Sequence, residues 1–150
     1  MIKAVLDACV LYPPSLRDLL MRIATEGVYE PYFTETIHDE WIRSVLSNNP
    51  NISFERLHGT RNLMNRITSD CLVSNFERHI PNIKLPDNND RHVVAAAIEA
   101  QADVIVTFNL NDFPASEHVK HGVKAKHPDA FLSALFDSDR DLMLSAIANH

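Results

Sequence analysis

Seven residues carry the chemistry open to this chain. Asp7 follows an apolar run, Ile2 to Leu6. Glu40 stands in the stretch Asp39-Glu40-Trp41-Ile42-Arg43. Asp87 and Asp90 precede an Ala-rich stretch, and Thr107, Asn109 and Asp112 follow Val104-Ile105-Val106. Clustered carboxylates repel one another and raise each other's pKa, and the usual relief is a hard divalent cation. An oxygen-only donor set, with no Cys pair and no His cluster, points to Mg²⁺ or Mn²⁺. Two such ions roughly 4 Å apart would activate a water and stabilise the leaving oxygen of a phosphodiester. Taken singly, each acid is more often a helix cap or a turn residue. What argues for chemistry is that Asp7, Glu40, Asp90 and Asp112 can all reach one edge of one sheet.

The elements that must position them are read as follows. Ile2 to Leu6 and Val104 to Val106 are short apolar runs, as expected of parallel strands covered on both faces. Ligand sites in open parallel sheets lie beyond the carboxyl ends of strands, where Asp7, Thr107, Asn109 and Asp112 stand. Val93, Val94, Ala97, Ile98 and Gln101 recur at helical spacing, and Asp90 lies on the same face at the helix start. Pro13-Pro14-Ser15 opens an earlier helix, with Ser15 as a cap and Gly27 as the stop. Glu30 to Phe33 reads as a brief strand. Thr34 or Thr36 caps the next helix, and Thr36 with Asp39 resembles a capping box. Its inward face is Ile37, Trp41, Val45 and Leu46, with Glu40 flanking that stripe. Ser53 caps a longer helix with Phe54, Leu57, Met64, Ile67 and Cys71 inward. Arg56, Arg61 and Arg66 recur every five residues, which favours a solvated face over a phosphate-tracking strip. Ala115 to Lys120 is a polar segment, and Gly122 to Ala125 a fourth strand. Pro128 opens a helix, and Ser138 with Asp141 resembles a box opening a last helix that runs to His150. Strands alternating with helices predict an α/β sandwich with a mainly parallel sheet. The 150 residues are read as a single domain, with 128–150 a C-terminal helical segment.

Composition narrows the classes. A net charge of −6 argues against a sequence-independent grip on nucleic acid through a broadly basic surface. It leaves room for a nuclease, whose site concentrates acids. No apolar run approaches the roughly 18 residues of a membrane span, and MIKAVLDACV does not read as a signal peptide. Two distant cysteines suit a cytoplasmic protein with free thiols. The eight histidines hold no HExxH-type zinc pattern.

Nearly the whole chain resembles the PIN-domain nucleases, and within them the VapC-type toxins. VLDACVLYP is similar to the family's opening strand, and DEWIRSV to its second motif, with Glu40 in the acidic position. DNNDRHVVAAAIEAQADVIVTFNLNDFP resembles the third and fourth motifs together. The resemblance implies a PIN-like three-layer sandwich and a Mg²⁺- or Mn²⁺-dependent endoribonuclease leaving 5′-phosphate and 3′-hydroxyl ends. It implies metal held by Asp7, Glu40, Asp90 and Asp112, with Thr107 and Asn109 in support. Either Asn109 or Asp112 is the closer ligand, and Asp87 can support Asp90. It also implies an RNA substrate, a cognate antitoxin that holds the toxin inactive, and a homodimer.

Two other classes compete. An aspartate-nucleophile phosphatase wants a second acid two residues after Asp7, where this chain has Cys9, and a receiver domain's early acid pair and late Lys are not evident. A non-catalytic interaction module on the same fold would use apolar helical surface, around Phe54 to Ile67 or Leu142 to Ile147.

Overall fold

The computed structural model describes residues 1–148, and the side chains of all of these except His118 and Val119. Four strands form one parallel sheet: β1 (Ile2–Leu6), β2 (Tyr29–Tyr32), β3 (Val104–Val106) and β4 (Lys124–Lys126), in the order β2-β1-β3-β4. The registers pair Ala4 with Pro31 and Val104, and Val106 with Lys126. The helices are α1 (Ala8–Leu11), α2 (Pro14–Thr25), α3 (Glu35–Asn48), α4 (Phe54–Met64), α5 (Arg91–Ala100), α6 (Ala115–His121), α7 (Pro128–Ser138) and α8 (Arg140–Ala148). This is the expected three-layer α/β sandwich. Among the described residues no helix is long and apolar enough to cross a membrane.

Strand alternation divides the core. Ala4, Leu6 and Tyr29 share one face; the Tyr29 ring meets Phe131 of α7 edge-on at 5.1 Å, and its hydroxyl donates to the Leu20 carbonyl of α2. Val5, Tyr32 and Ile105 share the other face, where Lys3 reaches the last carbonyl of α5, on Ala100, at 3.2 Å. Arg17 braces the site's back wall. Its guanidinium donates to the carbonyls of Leu11 (2.7 Å) and Tyr12 (3.3 Å), which the short α1 leaves without helical partners, and lies 4.4 Å over the Trp41 ring of α3.

Several local expectations change. Pro13 occupies the cap position of α2, so Pro14 is the first helical residue and Ser15 caps nothing. Thr34 caps α3 by accepting from the Ile37 amide; the backbone is already extended there, so Thr36 falls inside the helix and no Thr36–Asp39 box forms. β2 begins one residue early, and Phe33 instead forms a bridge with Leu72. Ser53 does cap α4, but that helix ends at Met64, so Ile67 and Cys71 lie beyond it, and Phe54 is 53% exposed. Gln101 is not part of the apolar stripe. It ends α5 in the left-handed region (φ 55°), where Ala102 donates back to Ala97. The polar segment after Pro114 is α6, stabilised from a distance: the buried Glu117 carboxylate accepts from the Lys84 amide. The fourth strand starts at Lys124, after Gly122 turns the chain at φ 71°. Ser138 ends α7, its hydroxyl donating to Leu135, so it cannot open α8. Ile147 is 46% exposed. The expected run to His150 lies outside the described residues.

Candidate active site

The order β2-β1-β3-β4 makes a topological switch between β1 and β3. The chain leaves β1 toward one edge and returns to the other side, so the loops after these two strands part and leave a crevice. Asp7 ends β1 and Thr107 ends β3. Both are buried. The Asp7 amide donates to Val106, which pins the two strand ends together.

Asp7 is held at both oxygens. Oδ1 accepts from the Ala8 amide at 2.9 Å, and Oδ2 from the Thr107 hydroxyl at 2.9 Å. The Thr107 oxygen in turn accepts from the Asn109 amide at 3.1 Å, which sets the loop after β3. The Cys9 thiol stands 3.6 Å from Oδ2 and accepts from the Phe108 amide. Burial raises the Asp7 pKa, the hydrogen bonds from Thr107, Ala8 and Cys9 oppose the rise, and the Glu40 charge adds to it.

Asp7, Glu40, Asp90 and Asn109 open on one cavity of about 540 Å³, with Tyr12, Arg43 and Ser44 also in its wall. Glu40, Arg43 and Ser44 fall on one face of α3 by their three- and four-residue spacing. Asp90 ends a 3-10 turn, Asn88–Asp90, and makes no capping bond to α5. Its carboxyl is pushed up to about 6, first by burial and then by the charges of Asp7, Asp87, Asp112 and Glu40.

The structure separates the remaining candidates. Asp87 is exposed and accepts from the Asn89 amide at 2.9 Å, so it shapes the turn that presents Asp90. Asp112 closes a 3-10 turn, Leu110–Asp112, and lines a neighbouring recess with Phe108 and Asn109 rather than the main cavity. Asn109 lines both. Among the described residues no three His, Cys, Asp or Glu side chains stand close enough together to hold an ion as placed. The donor chemistry nevertheless fits a hard divalent cation. The donors are carboxylate oxygens and one amide, and a cation would offset both the burial of Asp90 and the neighbouring negative charges that raise its pKa.

Sequence reasoning missed His92. Its Nε2 lies 3.2 Å from Glu40 Oε2, joining α5 to α3 across 52 residues. The only local signal is its place two residues after Asp90. A second cavity, about 440 Å³ between α2, α4 and α8, contains none of these acids.

A family model described as the PIN domain matches residues 3–111, a span that includes Asp7, Glu40, Asp87, Asp90, Thr107 and Asn109 and stops one residue short of Asp112. A curated relative, named "Putative ribonuclease VapC50", of Mycobacterium tuberculosis, is 54% identical over 43 residues. That segment is 29% of this chain and 25% of the relative, so the chain spans about a quarter of the length of the curated relative it matches. No solved structure matches at a significant level. The family match extends over well over half of the chain, and with the parallel sheet and the acids at its switch point it places this chain in the PIN domain family.

Proposed function

We propose that this chain is a Mg²⁺- or Mn²⁺-dependent endoribonuclease of a toxin–antitoxin pair. The observation that carries the reading is one cavity, at the switch point, onto which Asp7, Glu40 and Asp90 all open. Asp7 is the fixed acceptor, oriented by hydrogen bonds from Thr107 and Ala8. Glu40 and Asp90 are partly exposed, so both carboxylates are open to the cavity. Asn109 adds a neutral oxygen at the same wall, and Asp112 reinforces the negative field from the next turn. When bound, the cation supplies charge that acidifies a water and neutralises the phosphodiester. Arg43, exposed at the cavity wall, supplies a guanidinium for a neighbouring phosphate.

The reading takes 1–150 as one PIN-like domain with a helical segment at 128–150. It includes an RNA substrate, a cognate antitoxin, a homodimer and a cytoplasmic setting. Cleavage of end-labelled RNA tests it: wild type with Mn²⁺ is expected to leave 5′-phosphate and 3′-hydroxyl ends, and Asp7→Asn and Asp90→Asn to leave the RNA intact. Retained cleavage in both variants would overturn it. A non-catalytic PIN-fold interaction module is the second reading. The observation favouring it is that the described carboxylates do not close around one point as placed. Absence of cleavage at every ionic strength, with metal binding below stoichiometry, would select it.

A further inference from the structure

We infer that His92 is a positioning residue for Glu40: it ties the acidic wall on α3 to the first turn of α5, beside Asp90, and so sets how the two carboxylates face a divalent cation. The inference rests on the metal-nuclease reading above. The His92 side chain is enclosed, with 12% exposed, and its Nε2 stands 3.2 Å from Glu40 Oε2. The other ring nitrogen, Nδ1, is buried and finds no partner among the described residues.

Those two facts select a tautomer. A proton on Nε2 gives Glu40 a donor. A proton on Nδ1 alone would bury an unpaired N–H and set a lone pair against the carboxylate. The favoured form still leaves the Nδ1 acceptor buried and unsatisfied, which costs stability. An apolar side chain of similar volume would fill this space without that cost. What histidine adds is direction. It fixes one Glu40 oxygen and leaves the other for the cavity. His92 is also the partner the structure gives Glu40 among the described residues, by hydrogen bond or ion pair. Residues behind the ligands of metal sites commonly act in this way.

The test uses His92→Leu, His92→Gln and, as a site control, Asp90→Asn, with Mn²⁺ titrated by calorimetry and urea melts run in chelator. His92→Leu is expected to weaken Mn²⁺ binding by about 10- to 100-fold, while His92→Gln, which can still donate to Glu40, stays within about threefold of wild type. The metal-free melt of His92→Leu is expected to be unchanged or shifted upward. Equal Mn²⁺ affinity in His92→Leu and wild type overturns the inference. So does a His92→Gln loss as large as that of His92→Leu, or a drop in the metal-free melt. If wild type and Asp90→Asn both fail to bind Mn²⁺, the nuclease reading itself fails. The ring ¹⁵N spectrum of metal-free protein then still decides the contact. A protonated Nε2 that loses its preference in Glu40→Ala supports it, and a spectrum unmoved by that change overturns it.

Discussion

Asp90→Asn should stabilise the metal-free protein at the pH where it abolishes the proposed activity. Between 3.8 and about 6 the folded protein holds a proton on Asp90 that the unfolded chain releases. The native state therefore binds more protons than the unfolded state in this window, and its stability falls as pH rises through it. A shift of this size in a fully buried group would correspond to about 3 kcal/mol. Asp90 is partly open to solvent, and screening reduces the effect to about 1 kcal/mol. The carboxylate caps nothing on α5, so replacing it with the isosteric amide sacrifices no helix bond. Urea melts in chelator at pH 7.5 should place Asp90→Asn about 1 kcal/mol above wild type, or about 2–4 °C in a thermal scan of a chain this size. At pH 3.5, where both forms are neutral, the gap should close. Mn²⁺ at a hundred times its dissociation constant should add about 2.7 kcal/mol to wild type and nothing to the variant, reversing the order. A variant no more stable than wild type at pH 7.5 would refute the reasoning. So would a gain that persists unchanged at pH 3.5, because it could not come from the carboxylate's charge.

Further outcomes follow from contacts around the site and the core. Thr107→Val removes a hydrogen bond to the buried Asp7 carboxylate and should cost about 2 kcal/mol near neutral pH, and less in acid where Asp7 is protonated; melts at pH 7 and pH 4 check this. Arg17→Ala leaves the Leu11 and Tyr12 carbonyls and the Trp41 face without their cation, and should lower unfolding stability by about 2–3 kcal/mol in urea melts. His38 is fully enclosed between Asn65 and Trp41, and burial depresses its pKa to about 4. The unfolded chain therefore takes up a proton first as pH falls from about 6.5 to 4, and up to about 3 kcal/mol of stability should disappear across that window. Proton uptake followed by NMR on the His38 ring, with melts over the same range, tests the sign, which is opposite to that of Asp90.

The parts of the fold legible in the sequence are those with a local cause. Ile2–Leu6 and Val104–Val106 read as short covered strands, and an acid or a Thr-x-Asn pattern at their ends marks the candidate edge. Thr34, Ser53 and Pro128 announce helix starts by their own chemistry. What was not legible depends on contacts between distant segments. The helix Ala115–His121 is secured by Glu117 meeting a backbone amide 33 residues earlier. The turn at Gln101 adopts a conformation usually left to glycine because Ala102 and Asp103 bond to Ala97 and Lys3. Phe33 extends the sheet edge to Leu72 across α3 and α4. In the site, Asp7, Asp90 and Asp112 were readable as candidates from strand ends and a helix start, and Glu40 from its place beside the buried stripe of its helix. The distinction between Asn109, which lines both the main cavity and the next recess, and Asp112, which lines only the recess, depends on a 3-10 turn that no spacing rule gives. His92 was invisible for the same reason: its partner, Glu40, is fixed only when α3 and α5 pack on one sheet.

The most direct measurement is a Mn²⁺ titration by calorimetry on wild type and Asp90→Asn, with RNA cleavage assayed on the same samples. The account predicts that wild type binds Mn²⁺ and cuts RNA and that the variant does neither while remaining folded. A wild type that binds no divalent cation and cuts nothing would contradict it, and would leave Asp7, Glu40 and Asp90 as structural acids.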